Sequence, residues 1–156
     1  MVTKGFEDQL RIGYQNRPDI FSRKITLPNQ LYAKVIGVDE RILSDGKIIT
    51  ELDNFKLKIE LSKCLKNGIT SCAILLMHGY KYINHEKKIS KLAQSLGFDQ
   101  VSASHEISPQ IRFVERGDTT VLDAYLTPIL KTYIEQLVQN FSGNLGHKLK
   151  FMQSNG

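Results

Sequence analysis

Three short stretches of this chain gather residue types that can do chemistry: His78-Gly79-Tyr80, Ser104-His105-Glu106 and Ser154-Asn155-Gly156. His105 changes charge near neutral pH and stands beside a carboxylate, Glu106, so the pair suits acid–base chemistry or metal binding. A histidine that only hydrogen-bonds backbone at a strand end is the plainer account, and spacing leaves both open. A tight turn beside Gly79 accounts for His78 without chemistry. His85 reads as an exposed first-turn residue and His147 as a loop residue. A second constellation runs from Arg112 through Glu115 and Arg116 to Gly117-Asp118-Thr119-Thr120. Asp118 or Thr119 can cap a helix there and leave N–H groups for an anion, with Arg116 favouring phosphate or carboxylate and Thr120 close by. A capped helix with a surface ion pair is the competing reading.

Positioning these groups calls for strands that end together. Ser71 to Met77 is a nearly unbroken apolar run, as expected of a parallel strand covered on both faces. Its carboxyl end is the His78 turn. Gln100 to Ser104 reads as the next strand, ending at His105, and Lys148 to Gln153 as a third, ending at Asn155. Ligands of open α/β sheets gather at such ends. Between them lie a helix from Asp53 to about Asn67, with Phe55, Ile59, Leu61 and Leu65 on its broad face, and a helix capped by Asn84. Ile89, Leu92, Ala93 and Leu96 line the buried side of the second. A long helix follows from Asp118 to Phe141, bent by Pro128, whose apolar stripe is wide enough to meet more than one layer. Upstream, Gly5 to Gln15 reads as a helix and Leu31 to Leu43 as strand. Ser44-Asp45-Gly46-Lys47 suits a tight hairpin turn. The expected fold is one α/β domain over 1–156, with a mostly parallel sheet, flanking helices and an antiparallel hairpin at one edge.

Composition narrows the function. The chain has 156 residues, 41% hydrophobic and 24% charged, as in ordinary globular domains. No apolar run approaches the ~20 residues that span a membrane, and no secretory signal follows Met1. The net charge of +5 raises the question of nucleic acid. However, Lys56, Lys58, Lys63 and Lys66, and Lys87, Lys88 and Lys91, are interleaved with acids along helices, which reads as solvated faces, and no RNA- or zinc-finger pattern occurs. Cys64 and Cys72 lack a C-x-x-C partner and suit reduced thiols of a cytoplasmic protein. No glycine-rich phosphate loop or Ser-His-Asp spacing is present. The strand-to-glycine turn at Ser154-Asn155-Gly156 normally leads into a helix, so the chain is expected to be an excised piece of a longer subunit.

Several segments, in order along the chain, resemble one family. Val2-Thr3-Lys4-Gly5-Phe6-Glu7-Asp8 with Ile12-Gly13-Tyr14-Gln15-Asn16-Arg17-Pro18-Asp19 is similar to the "T-x-G-F-x-D…I-G-x-Q-N-R-P-D" segment of the hydantoinase A/5-oxoprolinase family. Ser104-His105-Glu106-Ile107-Ser108-Pro109 with Ile111-Arg112 and Glu115-Arg116 resembles its "S-H-E-x-x-P-x-I-R-E-x-E-R". Thr119 to Leu126 with Pro128 resembles its "T-T-V-x-N-A-Y-x-x-P", with Asp123 where Asn is usual, and Met152 to Gly156 resembles its "M-Q-S-N-G-G". The resemblance implies part of an ATP-dependent enzyme that opens cyclic amides such as 5-oxoproline or hydantoins through a phosphorylated intermediate, with a divalent metal and an actin- or sugar-kinase-like architecture. Related subunits carboxylate ketones, and members often pair with a B-type polypeptide or domain. The family's phosphate motif "D-x-G-G-T-x-T-D" is absent here, so the piece alone is expected to bind no cofactor and to be inactive. His105 and Glu106 are then the candidate catalytic pair, and Arg116, Thr119, Thr120 and Asn155 the candidate substrate or phosphate contacts. A non-catalytic folding or subunit-interaction module is one alternative, and a subunit of a related ATP-dependent ketone carboxylase is another.

Overall fold

A computed structural model describes residues 1–13, 19–24, 27 and 29–140. The elements in chain order are β1 (Val2–Thr3), α1 (Gln9–Ile12), β2 (Gly37–Val38), β3 (Arg41–Ile42), β4 (Ile48–Thr50), α2 (Asn54–Lys66), β5 (Ser71–Ile74), α3 (Asn84–Leu96), β6 (Gln100–Ala103), α4 (Ser104–Ile107) and α5 (Phe113–Asn140). β1 pairs in parallel with β2, and β5 with β6. A parallel bridge from Val2 to Leu75, with the Leu75 N–H donating to Met1 O at 2.9 Å, joins the two pairs in the order β2-β1-β5-β6. The mixed α/β expectation holds, and the hairpin forms, β3 and β4 being antiparallel around Gly46, whose φ of 92° suits its turn; it is a separate two-stranded sheet, however, and not an edge of the parallel one.

The unbroken apolar run has the expected cause. Ile74 and Leu76 join Leu57, Leu61 and Cys64 of α2, Ile89 and Ala93 of α3, Val38 and Ala103 in one buried cluster. Leu75, between them in sequence, faces the other way, against Leu10 and the start of α5 at Gly117. Alternate side chains thus enter cores on both faces of the sheet.

Several boundaries differ from the sequence reading. Val2–Thr3 is a strand, and the first helix is only one turn, Gln9–Ile12. Phe6 falls outside that helix and packs its ring 5.6 Å from that of Phe113. The stretch 31–43 is strand only at Gly37–Val38 and Arg41–Ile42, because β1 offers just two residues to pair with. Helix α2 begins where expected: the Asp53 carboxylate accepts from the N–H groups of Phe55 and Lys56. It buries Leu57, Leu61 and Cys64, at i, i+4 and i+7, while Phe55 and Ile59 face solvent. Asn84 is the first residue of α3, and Ile83 holds the cap position without a side-chain hydrogen bond. Helix α5 starts at Phe113, five residues before Asp118, and runs through Pro128. Its buried residues are Arg116, Gly117, Thr120 and Ala124, whereas Tyr125, Ile129, Leu130 and Tyr133 on the expected stripe are exposed. The expected strand Lys148 to Gln153 lies outside the described residues.

Candidate functional site

Parallel strands end on the same edge, and here the first turn of α3 is packed across that edge. Glu86 in that turn is fully buried. Its Oε1 accepts from Leu76 N at 2.9 Å and from the Ser104 hydroxyl at 2.7 Å. Its Oε2 accepts from the His105 N–H at 3.0 Å and from His105 Nδ1 at 2.8 Å. Four donors fill the acceptor sites of one carboxylate, and they come from the ends of both β5 and β6. Gly79 lies so close that a Cβ there would stand 2.2 Å from Glu86 Oε1. The His78 turn is thus glycine-dependent because the carboxylate occupies the space.

His105 is paired chiefly with Glu86. Glu106 is mostly exposed, and its Oε1 lies 3.5 Å from His105 Nε2. The His105 side chain is 5% exposed, and its Nε2 has no hydrogen-bond partner among the described residues. A carboxylate on Nδ1 fixes ring orientation and tautomer and leaves Nε2 to take or give a proton, or to bind a ligand.

A second pair of the same kind sits one residue away. His85, expected at the surface, is 1% exposed. Its Nδ1 is 2.8 Å from Glu40 Oε2, while Glu40 Oε1 accepts from the Thr3 hydroxyl. Thr3 Oγ1 in turn accepts from Met77 N at 3.0 Å. The sequence did carry a signal: His85 and Glu86 lie four and three residues before buried Ile89, on the inward side of α3. His78 Nδ1 meets Ile42 O at 2.7 Å and ties its turn to the hairpin.

The second constellation is organised differently from the sequence reading. Because α5 begins at Phe113, Asp118 and Thr119 are interior residues and cap nothing. The Thr119 hydroxyl donates to Glu115 O at 2.9 Å and the Thr120 hydroxyl to Arg116 O at 2.6 Å. Arg116 is fully buried. Its guanidinium donates to Leu76 O at 2.5 Å, Met77 O at 3.1 Å and Gln110 O at 2.7 Å, and lies over the rings of Tyr80 and Phe113. Burial lowers its pKa from the ordinary arginine value, with Glu86 and Tyr80 acting in the opposite sense. Among the described residues the Thr119 and Thr120 hydroxyls and both terminal nitrogens of Arg116 are bonded to backbone carbonyls, while the buried Arg116 Nε has no hydrogen-bond partner. No group of three His, Cys, Asp or Glu side chains suited to a metal occurs among the described residues. No helix among them is long and apolar enough to cross a membrane. Asp123 accepts from the Ser102 hydroxyl at 2.6 Å. Asn155 lies outside the described residues.

The edge can be set beside known proteins. The profile described as the hydantoinase/oxoprolinase N-terminal region matches residues 1–97, and that described as hydantoinase/oxoprolinase matches residues 116–156. 5-oxoprolinase 1 of Arabidopsis thaliana is 40% identical across 99% of the chain, which spans only 14% of that protein's length. Caprolactamase subunit alpha of Pseudomonas jessenii is 29% identical across the whole chain, which covers 23% of it. A crystal structure of ATP-dependent caprolactamase from the same bacterium shares the fold with a TM-score of 0.76 and 28% identity, over 90% of this chain and 21% of that one. Acetone carboxylase in a nucleotide-free structure shares it with a TM-score of 0.73 at 21% identity, over 90% of this chain and 22% of that one, a likeness of fold alone. With one profile covering more than half of the residues and a second continuing beyond it, the chain belongs to the hydantoinase/oxoprolinase family.

Proposed function

We propose that this chain forms part of an ATP-dependent hydrolase that opens a cyclic amide such as 5-oxoproline or a hydantoin through a phosphorylated intermediate, with His105 as its proton-handling group. The observation that carries this is a buried histidine held on Nδ1 by a saturated carboxylate, with no hydrogen bond on Nε2 among the described residues. Glu86 keeps the ring oriented, and Nε2 exchanges a proton with the attacking water or the leaving ring nitrogen. Glu106 Oε1 lies 3.5 Å from the same nitrogen, on the solvent side. In the longer protein ATP and a divalent metal are held in an actin- or sugar-kinase-like frame, with Arg116, Thr119, Thr120 and Asn155 as the contacts this chain offers to substrate or phosphate. A B-type partner completes the assembly, and the unbridged Cys64 and Cys72 suit a cytoplasmic setting.

The test is His105→Asn in the complete polypeptide that carries this chain, assayed for ATP-coupled ring opening of 5-oxoproline and of hydantoin. The Asn amide keeps a donor for Glu86 but supplies no titrating nitrogen. Turnover is expected to fall by about 100-fold or more with unchanged thermal unfolding. Unchanged turnover on the substrate the parent enzyme accepts removes His105 from the chemistry. It would leave the second reading, an interaction module, which the exposed Tyr125, Ile129 and Tyr133 of α5 favour.

A further inference from the structure

Helix α5 carries two packing faces, and the sheet uses one of them. Its buried residues Arg116, Gly117, Thr120 and Ala124 all lie in its first half, and none of its residues from Tyr125 to Asn140 is buried. Leu122, Leu126, Ile129 and Tyr133 follow one another at i, i+4, i+7 and i+11, the spacing of a single stripe. Leu122 and Leu126 stand two residues beyond Thr120 and Ala124, about 200° around the helix, so the stripe lies on the side opposite the sheet. The four are 38% to 57% exposed, and Leu130 beside them is 54% exposed. From Leu122 to Asn140 the charged residues are Asp123, Lys131 and Glu135. Two of these are held towards β6: Asp123 accepts from the Ser102 hydroxyl, and Lys131 donates to Gln100 Oε1 at 3.0 Å. The stripe is thus nearly free of charge, as in a permanent interface rather than a solvated helix. Tyr125 and Ile129 also line a groove of about 460 Å³ between α5, Leu75 of the sheet's second face and residues 31–36, so apolar surface continues from the stripe onto the body.

We infer that the outward stripe of α5 is the surface on which the rest of the hydantoinase/oxoprolinase unit packs, within the same polypeptide, so that one helix serves two cores. The family profiles place the boundary. The N-terminal-region profile ends at residue 97, whereas the hydantoinase/oxoprolinase profile begins at Arg116, on α5, and runs to Gly156. α5 is therefore the first helix of the second unit, in a family whose 5-oxoprolinase 1 is spanned by this chain over only 14% of its length. A helix that opens a domain contributes apolar residues to that domain's core. The residues buried against the sheet are already used, and the stripe is the apolar surface left. A long helix is held mostly by the packing of an apolar face, and residues 125–140 bury none among the described residues. A second copy of this chain fits less well, since pairing through the stripe would keep the opening helix out of its own unit's core. The consequence is mechanical. The helix whose Arg116 clamps Leu76 and Met77 is a 28-residue rod about 42 Å long that ties the sheet edge rigidly to the second unit. The inference rests on the family membership and on the longer polypeptide of the proposed function, and it is independent of His105 and of the reaction.

The test uses the complete polypeptide that carries this chain, with Leu126→p-benzoylphenylalanine and Tyr133→p-benzoylphenylalanine as photoreactive variants. Equal parts of 15N-labelled and unlabelled polypeptide are mixed before irradiation, and the cross-linked peptides are identified by mass spectrometry. Links from both positions to peptides beyond residue 156 of the same copy are expected. Hydrogen exchange of the parent polypeptide gives a second reading: amides of 126–138 are expected to exchange about 100-fold or more slowly than in an unprotected helix. Leu130→Asp combined with Tyr133→Asp is expected to speed exchange about tenfold or more, both in α5 and in a segment beyond residue 156, at unchanged molar mass by light scattering. If that variant does not fold, the cross-links and the parent's exchange decide. Links of mixed isotopic mass would assign the stripe to a second copy, and links to a co-purified B-type polypeptide would assign it to that partner. Absence of links together with free-helix exchange would leave the stripe in solvent. Each of these three results overturns the inference. A polypeptide that cross-links as expected yet opens neither 5-oxoproline nor hydantoin would sink the proposed reaction and leave the packing of α5 standing.

Discussion

Glu86 shows how much one side chain can hold. Its carboxylate takes four hydrogen bonds from Leu76, Ser104 and His105, at the ends of two paired strands. Glu86→Ala would strip the partner from each buried donor at once, and leaving such groups unpaired costs about 3 to 5 kcal/mol in comparable buried pairs. Urea denaturation should show that loss, and an unchanged midpoint would mean that water replaces the carboxylate. His105 was visible in the sequence because it ends a strand. Its partner was not, since a glutamate in a lysine-rich helix turn looks solvated until the packing is known. His85 was misplaced for the same reason. Cys72 gives a pH signature at this scale. Burial pushes its thiol up to about 11, against the pull of the N-terminal ammonium. An unfolded thiol ionises near 8.5. Between these values the unfolded chain gains by losing the proton and the folded chain does not, so stability should fall as pH rises from about 8.5 towards 11. Comparing urea midpoints at neutral and alkaline pH, the drop should be larger in the parent than in Cys72→Ala; equal drops would place the cause elsewhere.

Helices were the most legible elements, and their ends the least. Asp53 announces α2 because an aspartate before an amphipathic run can satisfy two leading N–H groups, and it does. At α5 the same logic misled. Gly117-Asp118-Thr119 reads as a break and a cap, yet Gly117 sits inside the helix because the sheet leaves no room for a side chain. A Cβ there would approach Leu10 and Leu75 methyls to 2.5 Å. Two effects therefore compete in Gly117→Ala. Helix propensity favours alanine by about 1 kcal/mol, while overpacking costs about 1 to 3 kcal/mol. Both crowding carbons belong to buried or half-buried side chains on the sheet's second face, so the clash should win and the variant should melt at a lower temperature. A higher melting temperature would show that Leu10 and Leu75 move aside cheaply. The short strands were the hardest to read, because two-residue pairings carry no alternation to detect.

Across the whole molecule, the backbone at Leu76 and Met77 is the point where everything meets. Their two N–H groups go to Glu86 and Thr3, which hold His105 and, through Glu40, His85. Their two carbonyls go to one guanidinium, Arg116 of α5. The sequence offered Arg116 as an anion contact. The packing uses it to clamp the strand end beside which both histidine pairs lie. Arg116→Lys keeps the charge but cannot span Leu76, Met77 and Gln110 together, because an ammonium is a compact donor and a guanidinium a planar fork. The expected result is a loss of about 2 kcal/mol or more in urea, with hydrogen-exchange protection falling together at Leu76, Met77 and His105. If protection fell only within α5, the two pairs would be held by α3 alone, and the clamp would have no part in orienting them.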